Sequence, residues 1–189
     1  MAAADAGLRA ELLGLLRERS YRAGKVILSS GKESDFYIDC KQTCLSAAGA
    51  LRVGELLFET IQDRFPEARA VGGPTLGADP MVAAVAVVSA QAGRPLDAFI
   101  IRKEPKGHGT AAWIEGMRNL AAERPVVLVE DVITTGGSTL RSLERVREAG
   151  LRALGVVVLV DRLEGGREAI EQAGYPLVAL FTREDFLGR

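Results

Sequence analysis

Soft metal ligands are scarce. The 189-residue chain has two cysteines, Cys40 and Cys44, and one histidine, His108. Two thiols make no disulfide framework, and one histidine leaves a Cys/His zinc site short of ligands unless others come from afar. The cysteines read as small buried hydrophobes. An excess of positive charge is also missing. Lys plus Arg total 24 against 25 for Asp plus Glu, a formal net charge of -1. That balance argues against a dedicated nucleic-acid binder, though it leaves room for a local basic strip. Met1–Leu16 lacks a basic start followed by an unbroken apolar stretch, so it does not read as a secretory signal. The longest mostly apolar run, Pro80–Ala92, is too short and alanine-rich to cross a bilayer. These absences lead us to expect a soluble cytoplasmic protein with neither nucleic acid nor membrane as partner. Neither G-x-x-x-x-G-K-[ST] nor G-x-G-x-x-G occurs, which disfavours the ordinary ATP and dinucleotide loops.

What is present is an ordinary globular composition, 48% hydrophobic and 26% charged, in a chain long enough to bury a core without staples. A single domain over residues 1–189 is expected. Leu8, Leu12, Leu15 and Leu16 recur at helical spacing after Asp5, a candidate N-cap. Lys25–Leu28 and Asp35–Cys40 read as short strands around a Ser/Gly-rich turn. Ser46 is a candidate cap for a helix whose apolar face carries Leu51, Leu56, Leu57 and Ile61. Strands are then expected at Arg69–Gly72, Asp97–Arg102, Pro125–Glu130, Ala153–Val160 and Leu177–Phe181. Helices are expected at Pro80–Ala92, Ser138–Ala149 and Gly166–Ala173. Continuous Val/Leu strands alternating with helices imply an α/β fold, a mainly parallel sheet covered on both faces, with a small N-terminal hairpin lobe appended. Ligands gather at the carboxyl ends of such strands. The loops after residues 72, 102, 130 and 160 are therefore the places to look.

Val126–Thr139 carries the strongest signal: an apolar strand ending in the adjacent carboxylates Glu130 and Asp131, then Val132-Ile133-Thr134-Thr135-Gly136-Gly137-Ser138-Thr139 leading into a helix. Backbone N–H groups at such a turn, with the helix N-terminus behind them, form a nest for phosphate. Thr134, Thr135, Ser138 and Thr139 add hydroxyl donors, and Gly136 and Gly137 allow close approach. An anion nest alone gains nothing from two carboxylates beside it. A sugar phosphate, which also carries hydroxyls, accounts for both. The plainer alternative is a strand-to-helix loop with a cap. Ile101–Gly109 gathers Arg102, Lys103, Lys106 and His108 on a segment punctuated by Pro105, Gly107 and Gly109. This is either a solvated charged loop or a cationic lid for polyphosphate. Arg162 follows a strand end, where an arginine fork can bind a carboxylate in bidentate fashion.

These segments resemble known ones. Val126–Thr139 resembles the phosphoribosyl pyrophosphate (PRPP) signature of type I phosphoribosyltransferases. The Arg-Lys-x-x-Lys-x-His pattern of Arg102, Lys103, Lys106 and His108 is similar to the catalytic loop of the orotate phosphoribosyltransferase family. Leu28–Asp39 is similar to that family's base-covering hairpin, and Gly72–Gly77 to its loop under the pyrophosphate. Arg162, in Asp-Arg-Leu-Glu-Gly-Gly, matches its orotate-binding arginine.

The resemblance runs from about Leu28 to Gly166. It implies a type I phosphoribosyltransferase fold with a hood of approximately residues 1–45 plus part of the C-terminus over a core of approximately 46–165. It implies transfer of the phosphoribosyl group from PRPP to orotate, giving orotidine 5'-monophosphate and pyrophosphate in pyrimidine (UMP) biosynthesis. PRPP would contact Arg102, Lys103, Lys106, His108 and the run Glu130, Asp131, Val132, Ile133, Thr134, Thr135, Gly136, Gly137 and Ser138. Orotate would contact Thr134, Arg162 and one of Phe36 and Tyr37, unless these two are plain strand residues. Catalysis would fall to Lys106, His108, Arg102, Lys103 and Asp131, with no strong general base. The resemblance further implies Mg2+ held mainly through PRPP and water, and a homodimer whose lid serves the neighbouring subunit. Two lysines that some family members carry are absent, with Ser29 and Gly77 in their places. The rivals are a transferase for another base, a PRPP-sensing regulator and a structural protein. The assignment requires residues 134–138 and the base of the 102–108 flap to border one ligand-sized space.

Overall fold

The computed structural model describes residues 3–27, 33–105 and 113–187, with side chains described for 6–24, 36–105 and 113–187. The chain opens with α1 (Ala3–Arg19), the hairpin strands β1 (Tyr21–Ile27) and β2 (Glu33–Ile38), and the short α2 (Lys41–Cys44). Then come α3 (Ala47–Arg64), β3 (Ala70–Pro74), α4 (Asp79–Gln91), β4 (Asp97–Ile101) and β5 (Ile114–Glu115). The remainder is β6 (Pro125–Ile133), α5 (Gly137–Glu148), β7 (Arg152–Asp161), α6 (Gly166–Gln172), β8 (Leu177–Thr182) and α7 (Arg183–Leu187).

Six strands form one sheet in the order β5-β4-β3-β6-β7-β8. All its pairings are parallel except that of β4 with the two-residue β5. The continuous valine runs explain this arrangement. Strands buried on both faces need no polar alternation, and Val126 to Val129 and Val156 to Val160 are all buried. Along β6 the side chains still alternate. Val127 and Val129 enter the core beneath α1, α3 and α4, whereas Val126 and Leu128 enter the one beneath α5 and α6. Adjacent residues at the strand's end therefore open toward different helical layers.

The expected helices form, with differences at their edges. The Ser46 hydroxyl caps α3 by accepting from Gly49 N–H at 3.2 Å. Leu56, Leu57 and Ile61 are buried as expected, together with Val53 and Phe58, but Leu51 is 46% exposed and lies off the apolar face. Asp5 lies within α1 and not ahead of it. The strand expected at Pro125–Glu130 continues through the acidic pair to Ile133 because β7 goes on pairing with it, with Glu130 opposite Val158 and Ile133 opposite Asp161. On the other side, pairing with β3 stops at Leu128. One edge of β6 is thus unpaired by β3 just where the carboxylates lie. Neither β5 nor α7 was expected, since a two-residue strand and a five-residue helix are too short to show a period.

The antiparallel hairpin of β1 and β2 stands apart from the main sheet. It is joined to the C-terminus by an aromatic cluster in which Tyr21, Phe36 and Phe186 lie with ring centroids 5.4 to 5.7 Å apart. Arg9 of α1 reaches the same end of the molecule, donating to the Leu180 carbonyl and pairing with Asp185 at 3.0 Å.

Candidate functional site

A cavity of about 590 Å³ opens at the carboxyl end of β3, β4 and β6. Pro74, Thr75, Leu76 and Gly77 border it after β3, Arg102 and Lys103 after β4, and Glu130, Asp131 and Ser138 along β6 and the start of α5. These are the loops that a parallel sheet makes available to a ligand. Arg102 and Lys103 of the flap base thus border one space with Ser138, at the helix end of the phosphate-type turn, whereas Thr134, Thr135, Gly136 and Gly137 do not line it. Lys106 and His108 lie outside the described residues, as does Ser29.

The two carboxylates differ in surroundings. Glu130 is 6% exposed, and its Oε2 accepts from the Thr139 hydroxyl at 2.9 Å. Burial pushes its carboxyl up to about 8, against the lowering effect of that hydrogen bond. Asp131 meets Gly77 across the loop and hydrogen-bonds its own neighbour, Oδ1 accepting from Val132 N–H at 3.0 Å. Burial also raises the Asp131 carboxyl, while the nearby Lys41 ammonium pulls it back down. Thr139, expected as a donor to a bound anion, is buried and committed to Glu130 instead. Its place in the first turn of α5 points it back at the strand.

The turn between β6 and α5 places Thr134 half-buried, Thr135 and Ser138 exposed, and Gly136 buried with a left-handed φ of 81°. Arg162 sits beside this turn, because its backbone N–H donates to the Ile133 carbonyl at 3.1 Å. Gly166 closes the contact. A side chain there would come within 2.5 Å of the Thr134 carbonyl oxygen and 2.6 Å of the Ile133 side chain. The ends of β6 and β7 are thus brought together here, Ile133 against Arg162 and Thr134 against Gly166. The Arg162 side chain is 13% exposed, pairs with Glu164 at 2.7 Å, and lies 5.7 Å from the Phe36 ring centroid. Phe36 itself has no exposed surface and packs against Tyr21 and Phe186. Its expected contact with a planar ligand is therefore corrected: it is a core residue, and only the partly exposed Tyr37 remains available.

Arg102 is already engaged, with its guanidinium 3.0 Å from Glu115 and its Nε donating to the Glu104 carbonyl at 3.2 Å. Lys103 is exposed. Three cations of the pocket wall escaped sequence analysis: Lys41, Arg141 and Arg145. Arg145 also stacks over Trp113 at 3.9 Å. The two arginines come from the second and third turns of a helix whose start alone had attracted attention. Cys40 and Cys44 are buried free thiols, as expected.

Residues 46–173 match the family model described as a phosphoribosyl transferase domain. The orotate phosphoribosyltransferase of Sorangium cellulosum is 52% identical over 99% of this chain and 97% of its own length. That of Aquifex aeolicus is 44% identical, covering 95% and 97%. Among solved structures, Mycobacterium tuberculosis orotate phosphoribosyltransferase in complex with Fe(III) dicitrate superposes with a TM-score of 0.83 at 38% identity, covering 95% of this chain and 98% of that one. The same enzyme in complex with PRPP gives 0.76 at 33% identity over 98% and 93%. The chain belongs to the orotate phosphoribosyltransferase family.

Within that family's frame, the type I phosphoribosyltransferase fold is the mixed sheet described above, and the expected α/β class holds. Among the described residues, no helix is long and apolar enough to cross a membrane.

Proposed function

We propose that this chain transfers the 5-phosphoribosyl group of PRPP to orotate, forming orotidine 5'-monophosphate and pyrophosphate for pyrimidine biosynthesis. The observation that carries this reading is one cavity bordered at once by an acidic pair, a loop after β3, the cationic flap base and Ser138 at the start of α5.

In this reading Thr134, Thr135, Gly136, Gly137 and Ser138 hold the 5-phosphate at the start of α5, where backbone N–H groups and the helix dipole favour an anion. Glu130, Asp131, Val132 and Ile133 lie along the ribose, with the two carboxylates accepting from its hydroxyls. Arg162 pairs with the orotate carboxylate, Thr134 hydrogen-bonds the base, and Tyr37 covers the ring. The loop Pro74–Gly77 lies under the pyrophosphate. Breaking the anomeric bond builds positive charge on the ribose and negative charge on the departing pyrophosphate. Catalysis is therefore positional and electrostatic. Arg102, Lys103 and Lys106 neutralise the leaving group, and His108 assists by hydrogen bonding. Arg102 has guanidinium donors beyond the Nη1 paired with Glu115 and the Nε bonded to Glu104 with which to meet pyrophosphate.

The Asp131 carboxylate on the pocket wall fits a Mg2+ ion that arrives on the diphosphate, since this ion keeps waters and takes few protein ligands. Bound there, it would offset phosphate charge and be held mainly through PRPP and water. The reading includes a hood of approximately residues 1–45 with part of the C-terminus over a core of approximately 46–165. It also includes a cytoplasmic homodimer whose flap is shared between subunits.

The experiment mixes the protein with PRPP, Mg2+ and each nucleobase in turn and follows ultraviolet absorbance. Loss of orotate alone supports the proposal. Turnover of a different base, or tight PRPP binding without turnover, would replace it with another transferase or a PRPP sensor respectively.

A further inference from the structure

The reading above leaves Lys41 without a task. It stands at the start of α2, in the layer of helices that also holds α3 and α4, yet it borders the same cavity as Glu130, Asp131, Arg102 and Lys103. The loop after β3 brings no charged side chain to this wall: it offers Pro74, Thr75, Leu76 and Gly77. The Asp131 carboxylate sits directly against Gly77. On this side of the pocket a diphosphate would therefore meet a half-buried carboxylate, and Lys41, which lines the same cavity, is a cation that acts on it. Arg141 and Arg145 of α5 line the same cavity.

Lys41 is also held in place. Its ammonium lies 2.6 Å from Asp39 Oδ1. Asp39 is tied to its own turn without it, its Oδ1 accepting from Lys41 N–H at 3.3 Å and its Oδ2 from Gln42 Nε2 at 3.1 Å. Asp39 can thus keep the turn when the ammonium swings to another anion. The Lys41 side chain remains 39% exposed, so the exchange costs little desolvation.

We propose that Lys41 is a further substrate-binding residue, whose ammonium passes from Asp39 to a diphosphate oxygen of PRPP beside Asp131. This rests on the reading of the cavity as a PRPP site. The competing role is structural, an ion pair bracing residues 39–44.

Calorimetric titration of the full chain with PRPP and Mg2+ separates the two, alongside steady-state KM values for orotate. Lys41→Met should weaken PRPP binding about tenfold or more, the typical loss of one charge-assisted hydrogen bond. The KM for orotate and the thermal midpoint should stay near those of the wild type. Lys41→Arg should restore most of the PRPP affinity. Asp39→Asn frees the ammonium and should leave PRPP binding unchanged or tighter. Lys41→Gln makes the same comparison should the methionine variant misfold. Wild-type PRPP affinity in Lys41→Met overturns the assignment. So does an equal loss of PRPP affinity and thermal midpoint in Lys41→Met and Asp39→Asn. A wild-type protein that does not bind PRPP at all overturns the reading of the cavity itself, and this assignment with it.

Discussion

The carboxylate of Asp131 fills the space that a side chain at position 77 would need: a Cβ on Gly77 would lie 2.3 Å from the Asp131 carboxyl carbon and 2.4 Å from both its oxygens. The loop after β3 and the acidic pair on β6 are therefore packed as one unit. No side chain fits at position 77 while Asp131 keeps its position.

Gly77→Ala should displace the Asp131 carboxylate or the loop. The clash is with the end of the Asp131 side chain, which can move aside, so the effect should fall on the site more than on stability. We expect a clear fall in PRPP affinity, with orotate affinity less affected. Calorimetry of each ligand on the variant checks this, and an unchanged PRPP affinity would contradict the packing argument.

Arg162→Ala should raise the KM for orotate by roughly ten- to a hundredfold, the loss of about 1.5–3 kcal/mol from hydrogen bonds to a charged group. PRPP binding measured without orotate should change little. Arg162→Lys should recover only part of the loss, because an ammonium lacks the two-pronged geometry of the guanidinium.

Glu130 makes stability depend on pH. Its folded-state carboxyl titrates at about 8, above its ordinary value of 4.5. The folded protein therefore holds this proton over a range where the unfolded chain has lost it, and the stability due to it declines as pH rises from about 4.5 through about 8. Glu130→Gln keeps the shape and removes the titration. Urea midpoints at pH 5 and pH 8.5 should thus fall further with pH in the wild type than in Glu130→Gln. Asp131, also raised by burial, contributes a change of the same sign to both proteins.

Lys106→Ala should reduce turnover far more than it weakens orotate binding, since its charge is needed where pyrophosphate departs. Single-turnover rates set against orotate dissociation constants test this, and equal effects on both would remove Lys106 from the leaving-group role.

The sheet and its helices were legible in the sequence because their signals are local. The valine runs of β6 and β7 and the Ser46 cap each declare themselves within a few residues. Other features depended on distant neighbours. Phe36 and Tyr37 are equally plausible on paper, and only the packing of Tyr21 and Phe186 buries the first. Thr139 looked like a ligand donor until the strand beneath α5 supplied Glu130 as its acceptor. Lys41 gave no signal at all, because its relation to Asp131 spans ninety positions of chain and exists only after folding.

The sequence by itself determined the α/β class and the order of strand, turn and helix around residues 126–148, because periodicity and turn composition are written in consecutive residues. Tertiary structure alone decided that Glu130 faces Thr139 while its neighbour Asp131 faces Gly77, and that Arg162 lies against Ile133. The reason is physical: successive residues at a strand end project to different sides, and what each side chain meets there depends on which distant helix or loop covers that side.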